Sequence, residues 1–425
     1  MTSIRTAFLI VAMLAAAGPA GAGPLGLGLP ALPGVEGLGS LANRTTGTLN
    51  QDVMVIRDTV GRPPHPRTLE KDQSGFRVVR GEVLALSPSD KSLAVARGLN
   101  FDIVRQDDLE ALGLNVVVLR VPDGMSASDA LAALRKADPG GAYDVDHIYD
   151  PSGASAVPGA GVSTGAPMSR AAIRIGMIDG GVDRRHDAFE HASITSREFV
   201  PNGSSVPSKH GTAVASLLVG DGSDVSGALP QATLLAADVY CGEASGGSAD
   251  AITQALGWMA ANDVPVVNVS LSGPPNAILA AAVNAFVKRG HVLVAAVGND
   301  GPAAGVEYPA AYPGVVGVTS VDGDRKIQLE ANRGPDVAFA ATGVDVEAAT
   351  LKDRTESVTG TSFAAPIVAG RFALLVPHAD PRLAAQAWVT LERSALHLGA
   401  PGRNDVYGYG YLDRPGPSSN TTASK

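Results

Sequence analysis

"SVTGTSFAAPIVAGRFALL", Ser357 to Leu375, begins like a tight turn and ends like a buried helix. Ser362 sits at the junction, among Gly360, Thr361, Ala364, Ala365 and Pro366. A core helix gains nothing from a hydroxyl at its first turn. A nucleophile placed there would face a cleft, and its backbone N–H would be one of the unsatisfied donors of a helix start.

Outward from this stretch, strands and helices alternate. "AAIRIGMI", "TLLAADVY", "VPVVNVS" and "HVLVAAV" read as buried strands, and "HGTAVASLLVG", "ADAITQALGWMAAND" and "NAILAAAVNAFVKRG" as helices. Such alternation predicts an α/β fold, a mostly parallel sheet with helices on both faces. Functional groups gather at the carboxyl ends of strands in such sheets. Asp179 is the first polar residue after "IRIGMI", and Asn299 follows "HVLVAAVG". Taken singly, either reads as a turn residue. His210 opens its helix, the end at which the helix dipole disfavours a cation. A base that stays neutral until it takes a proton suits that position. Hydroxyl nucleophiles need a base, an orienting carboxylate and oxyanion donors; Ser362, His210, Asp179 and Asn299 supply all four.

The chain before residue 170 is organised differently. Arg5, the apolar run Ala7–Ala17 and Ala20-Gly21-Ala22 read as a signal peptide over 1–22. Residues 23–74 are expected to form a flexible Gly/Pro-rich leader. From Phe76 the order is β-α-β-β-α-β, the ferredoxin-like arrangement, with Ser87 or Ser89 and then Ser126 as helix caps. Residues 151–169 collapse to Gly, Ser, Ala and Pro, a cleavable linker, and 416–425 read as a frayed polar tail. With 425 residues, 45% apolar, a large core is available, and the net charge of −9 argues against a nucleic-acid surface or a polybasic membrane patch. The single cysteine, Cys241, excludes an intrachain disulfide and reads as a core or near-surface thiol.

"HGTAVASLLVG", "GTSFAAPIVAG", "AAVGNDGP" and "VEYPAAYPGVVGVTSV" resemble the signatures of the subtilisin-like serine peptidase family over about Ala171–Asp413. The resemblance implies that Asp179 orients His210, that His210 is general base and then general acid, and that Ser362 forms an acyl-enzyme. It implies that Asn299 and the Ser362 N–H hold the oxyanion, and that Tyr308-Pro309 is cis. It makes Ser270, Leu271, Ser272 and Gly273 one substrate-pairing strand, Gly246 and Gly247 the opposite one, and places Ala296 and Gly298 by the pocket preceding the scissile bond. Those walls look small and apolar and suit medium or large uncharged side chains. The implied partners are extended peptide or protein substrates and the chain's own ferredoxin-like domain, residues 75–150, acting as prosegment and intramolecular inhibitor. The implied product is an exported, periplasmic or extracellular, autoprocessed endopeptidase; the alternative is an inactive subtilisin-fold binding protein. One departure is Gly180, where the family has Ser or Thr, so a bond near the carboxylate is expected to be missing. No cofactor is called for. The family's common calcium site is not expected, since Ala188 and Phe189 follow "RRHD" and the His210 helix carries no insertion; Asp322, Asp324, Asp345 and Asp353 read as solvated turn residues.

Overall fold

Two sheets organise the protein in this computed structural model, which describes residues 68–155, 173–201, 203–222, 224–244 and 246–415. The signal segment, most of the leader, most of the linker and the polar tail read from the sequence lie outside the described residues.

The N-terminal module comprises β1 (Leu69–Lys71), β2 (Arg77–Leu86), α1 (Asp90–Gly98), β3 (Asp102–Leu109), β4 (Leu114–Arg120), α2 (Ala127–Ala137) and β5 (Ala142–His147). Its sheet runs β1-β2-β4-β3 with β5 also on β2, every pair antiparallel. Ser89 and Ser126 cap the helices, accepting from the N–H groups of Ser92 and Asp129. The expected leader is too long by several residues. Asp72 Oδ1 accepts from Ser74 N (2.9 Å) and Phe76 N (2.8 Å), a local turn that folds β1 back onto β2.

Both faces of this sheet are covered, which is why "NVVVLRV" has no polar alternation. Val83, Ala85, Val117 and Leu119 pack with Ala96, Leu131 and Leu134 of the module's helices. The residues between them, Leu84, Val116 and Val118, join Leu109 and Leu112 in a second core. That core is shared with Ala255, Met259, Leu279, Val283 and Phe286 of the larger domain.

After the module come β6 (Asp150–Pro151) and β7 (Ala154–Ser155), then β8 (Arg174–Asp179), β9 (Ser193–Glu198), α3 (Lys209–Val219), β10 (Thr233–Asp238), α4 (Ala249–Ala261), β11 (Val266–Val269), β12 (Leu271–Ser272), α5 (Ala277–Lys288) and β13 (Val292–Ala296). β14 (Val316–Val321), β15 (Val337–Thr342), β16 (Val346–Thr350), β17 (Arg354–Thr359), α6 (Thr361–Ala373) and α7 (Pro381–Ser394) complete it. Seven strands form one parallel sheet in the order β15-β14-β13-β11-β8-β10-β9. Met177, Ala236, Val294 and Val318 face the core built with α3 and α6. Their neighbours Ile178, Ala237, Leu293 and Ala295 face α4 and α5. Near the C-terminal end of the described residues, Tyr411 forms isolated bridges to Ala340 and Leu396.

The module docks on the starts of α4 and α5. Asp146 Oδ1 accepts from Asp250 N (2.9 Å) and Asp144 Oδ2 from Ala277 N (2.7 Å), placing carboxylates at both positive helix ends. Arg105 of β3 bonds Asp107 (2.6 Å) and reaches Asp250 of α4, with both carboxylates buried. The segment expected to be a free linker begins as structure: β6 pairs antiparallel with β12 and β7 with β17.

Candidate active site

Asp179 ends β8, fully buried. Its Oδ1 accepts from His210 Nδ1 (2.9 Å) and from Gly180 N (2.7 Å). His210 is brought there by α3. Ser208 caps that helix by accepting from Gly211 N (2.9 Å). A β-carbon on Gly211 would stand 2.2 Å from the Gly180 carbonyl oxygen, so only glycine lets the helix start approach the strand end this closely. The Gly180 departure has a local reason. A β-carbon there would lie 2.4 Å from Ser208 Oγ, so the capping serine fills the space a side chain would need.

Ser362 lies in the first turn of α6, after Gly360, whose φ of 152° carries the chain past Gly153. Pro366 accounts for the odd composition noted at the outset. Without an N–H, it leaves the Ser362 carbonyl four residues earlier without its helical donor. Ser270 Oγ donates to that carbonyl (2.8 Å), and Ser362 Oγ donates back to the Ser270 carbonyl (3.0 Å). Asn268 Nδ2 in turn donates to Ser270 Oγ (2.9 Å). Asp179 and His210 are therefore joined, whereas the Ser362 hydroxyl points to Ser270. His210 Nε2 is buried with no hydrogen-bond partner, and its ring lies 5.4 Å from that of Phe363. The Ser362 hydroxyl thus makes its bond to the Ser270 carbonyl rather than to His210.

Asn299 is held by bonds that fix which way its amide faces. Oδ1 accepts from Gln328 Nε2 (3.1 Å) and Thr361 N (3.1 Å), so Nδ2 points away from both, where it donates to the Ser152 carbonyl. Ser362 N donates to that same carbonyl oxygen (3.0 Å). Two donors of the kind expected for an oxyanion thus converge on the carbonyl of Ser152. On the far side of the Ser152–Gly153 bond, a β-carbon at Gly153 would stand 3.5 Å from His210 Nε2 and 2.7 Å from the Phe363 ring.

The chain before this bond is threaded between the two expected strands. Ser152 N donates to Ser270 O (3.1 Å); Pro151 and Asp150 pair with Leu271 and Ser272. Tyr149 N donates to Gly247 O (2.8 Å). Tyr149 is fully buried, its hydroxyl donating to the Pro274 carbonyl (2.7 Å) and its ring seated where a β-carbon on Gly273 would be. Pro151 borders a cavity of about 290 Å³ with His210, Tyr240 and Glu243. Gly246 packs on the Tyr240 backbone, and Ala296 is buried in the β13 ladder opposite Val318. Gly298, at φ +104°, bonds through its carbonyl to Asn332 N (3.1 Å). Gln328, Asn268 and Ser208 support these groups from positions that no sequence motif singled out.

Other expected residues take structural places. Burial pushes the Cys241 thiol up, and its S–H donates to Asp238 O. His186 bonds Ala188 N and Arg354 O. Tyr308-Pro309 is cis. Among the described residues no three His, Cys, Asp or Glu side chains are grouped to hold a metal, and no helix is long and apolar enough to cross a membrane.

Comparison with known proteins identifies the family. Residues 170–410 match the Subtilase family. The chain is 32% identical over 248 residues to the minor extracellular protease Epr of Bacillus subtilis, 56% of this chain and 37% of that protein. It is 31% identical over 251 residues to subtilisin Savinase of Lederbergia lenta, 58% of this chain and 90% of that one. Fervidolysin of Fervidobacterium pennivorans, a keratinolytic enzyme related to subtilisin, shares the fold at a TM-score of 0.68 and 20% identity, over 86% of this chain and 64% of its own. The chain spans little more than a third of Epr but nearly all of Savinase, and with the family matched over more than half of its length, it is a member of the subtilase family.

Proposed function

We propose that the protein is an exported serine endopeptidase, made as a precursor that cuts its own Ser152–Gly153 bond. The observation that carries this reading is the Ser152 carbonyl, held by Ser362 N and Asn299 Nδ2 with His210 Nε2 beside Gly153. Ser362 Oγ turns from Ser270 O, gives its proton to His210 Nε2 and adds to the Ser152 carbonyl carbon. Asp179 keeps the proton on His210 Nδ1 and stabilises the imidazolium. Negative charge forms on an oxygen whose two donors already point at it, so little reorganisation accompanies bond formation. His210 then protonates the Gly153 nitrogen, the amine departs and an ester remains on Ser362. A water molecule, deprotonated by His210, releases Ser152 as a carboxylate.

The cut leaves the N-terminal module in place, because its shared core, the Arg105 cluster and the buried Tyr149 do not depend on the broken bond. The module is thus prosegment and inhibitor. Substrates bind as Tyr149–Ser152 does, by strand addition between Ser270–Ser272 and Gly247. Export rests on the Arg5–Ala22 segment and on the extracellular naming of Epr. The test is fluorophosphonate labelling of the processed protein after dilution has released the module. Labelling at Ser362, with peptide hydrolysis lost in Ser362→Ala, is expected; processed protein that neither labels nor hydrolyses contradicts the reading and favours an inactive binding protein.

A further inference from the structure

We infer that Glu307 makes the pocket for the residue preceding the scissile bond a cation site, so that the enzyme cuts after lysine or arginine in preference to uncharged side chains of similar length. This rests on the peptidase reading above.

Ser152 marks the pocket. Its N–H is held by Ser270 and its carbonyl by Asn299 and Ser362, so its side chain leaves the backbone between the Ser270–Gly273 wall and the Val297–Asn299 wall. Glu307 is stitched to both walls. Its N–H donates to the Val297 carbonyl (3.1 Å), and the next residue, Tyr308, exchanges two backbone bonds with Gly273 (2.9 and 3.1 Å). Its carboxyl group meets the Ser272 hydroxyl and the Asp300 carboxyl. Oε2 lies 2.6 Å from the point where a β-carbon on Gly298 would stand, so any other residue at 298 would fill the space the carboxyl occupies. Asn332, fully buried, brings Nδ2 to 2.4 Å from that point with no hydrogen-bond partner, and its Oδ1 accepts from Asp300 N (2.8 Å). Glu307 therefore lies at the floor that joins the two small-residue walls.

The charged groups acting on Glu307 are Asp300 and Asp150, both acidic. Burial first, then the Asp300 carboxyl, pushes Glu307 up to about 7. Two carboxyl groups that close share a proton until a cation replaces it. Ser152 uses none of this: it is 4% exposed and its Oγ has no partner. A tethered segment needs no side-chain affinity to be cut, because its local concentration is already high. A small residue there also leaves the floor vacant for later substrates. A lysine or arginine in its place would carry its charge down to the paired carboxyls. Consideration of the walls alone gave an uncharged preference; the floor reverses it.

The test compares peptides Tyr-Asp-Pro-X-Gly, with X lysine or its uncharged isostere norleucine, on the processed protein diluted until the module has dissociated, at pH 6 and pH 8. The kcat/KM ratio, lysine over norleucine, is expected to be about 10- to 100-fold at pH 8, the range of a charge-assisted bond. It falls at pH 6, where Glu307 holds its proton; effects common to both peptides cancel in the ratio. Glu307→Gln should bring the ratio near one and remove its pH dependence, and Glu307→Asp should restore part of it. Asp300→Asn, on an exposed side chain, should lower the ratio and serves if the Glu307 variants do not fold. A parental ratio of one or below, or an unchanged ratio in Glu307→Gln, overturns the assignment alone. If neither peptide is cleaved, the peptidase reading falls and this inference with it.

Discussion

Tyr149→Ala should convert a latent complex into a leaky one. Tyr149 is the deepest anchor of the threaded segment: fully buried, its ring against Gly273, its hydroxyl on the Pro274 carbonyl, and its own carbonyl accepting from Tyr240 Oη (2.6 Å). Truncating a buried aromatic to alanine costs about 3–5 kcal/mol, the lost transfer term plus the cavity left behind. At about 1.4 kcal/mol per tenfold, retention of the cleaved module should weaken by about 10²- to 4 × 10³-fold. Tyr149→Phe keeps the ring and removes only the donor to Pro274, a loss of about 1–3 kcal/mol. The assay dilutes the processed complex and follows the onset of peptide hydrolysis, whose dependence on protein concentration gives the dissociation constant. The order expected is Tyr149→Ala weakest, Tyr149→Phe intermediate, parent tightest. Parental retention in Tyr149→Ala, or a larger loss in Tyr149→Phe than in Tyr149→Ala, would refute the reasoning.

Asn299→Ala should lower kcat by about 10²–10³ with little change in KM, the range for one oxyanion donor, and Gln328→Ala by up to about tenfold through the orientation of that amide; steady-state kinetics separates the two. Arg105→Ala leaves the Asp107 and Asp250 carboxylates buried without their cation and should weaken module retention by about 3–5 kcal/mol, read by the same dilution assay. Gly180→Ala should displace the Ser208 cap and cost about 1 kcal/mol of stability in denaturant melts, a loss that shrinks in a Ser208→Gly background if the two compete for one space.

The sheet and the candidate catalytic groups were legible because each adjoins a long buried run. Asp179, His210, Asn299 and Ser362 stand where apolar strands end or apolar helices begin, and Tyr149–Ser152 pairs with Ser270–Ser272 and Gly247. Less legible elements lack an apolar period. β9, "SITSRE", is a polar edge strand, and β16 and β17 pair as a hairpin beside the site with mixed burial. β1 was hidden because the Asp72 turn depends on two side-chain bonds rather than on composition. The Ser152–Gly153 junction read as linker because glycine and serine are chosen there for the close approach of Phe363 and Gly360, a fit set by residues some 200 positions away. Glu307, Gln328 and Asn268 act on groups distant in sequence, so no local spacing announces them. The serine's own hydroxyl was expected on His210; it donates instead to the Ser270 carbonyl.

The central claim is that the group at 362 cuts the bond threaded past it. Intact masses and N-terminal sequencing of the parent and Ser362→Ala, purified identically, test it most directly. The parent's larger fragment should begin at Gly153, and the variant should stay joined across Ser152–Gly153. A parent left whole, a parent cut only at another bond, or a variant cut at Gly153 as efficiently as the parent would contradict it.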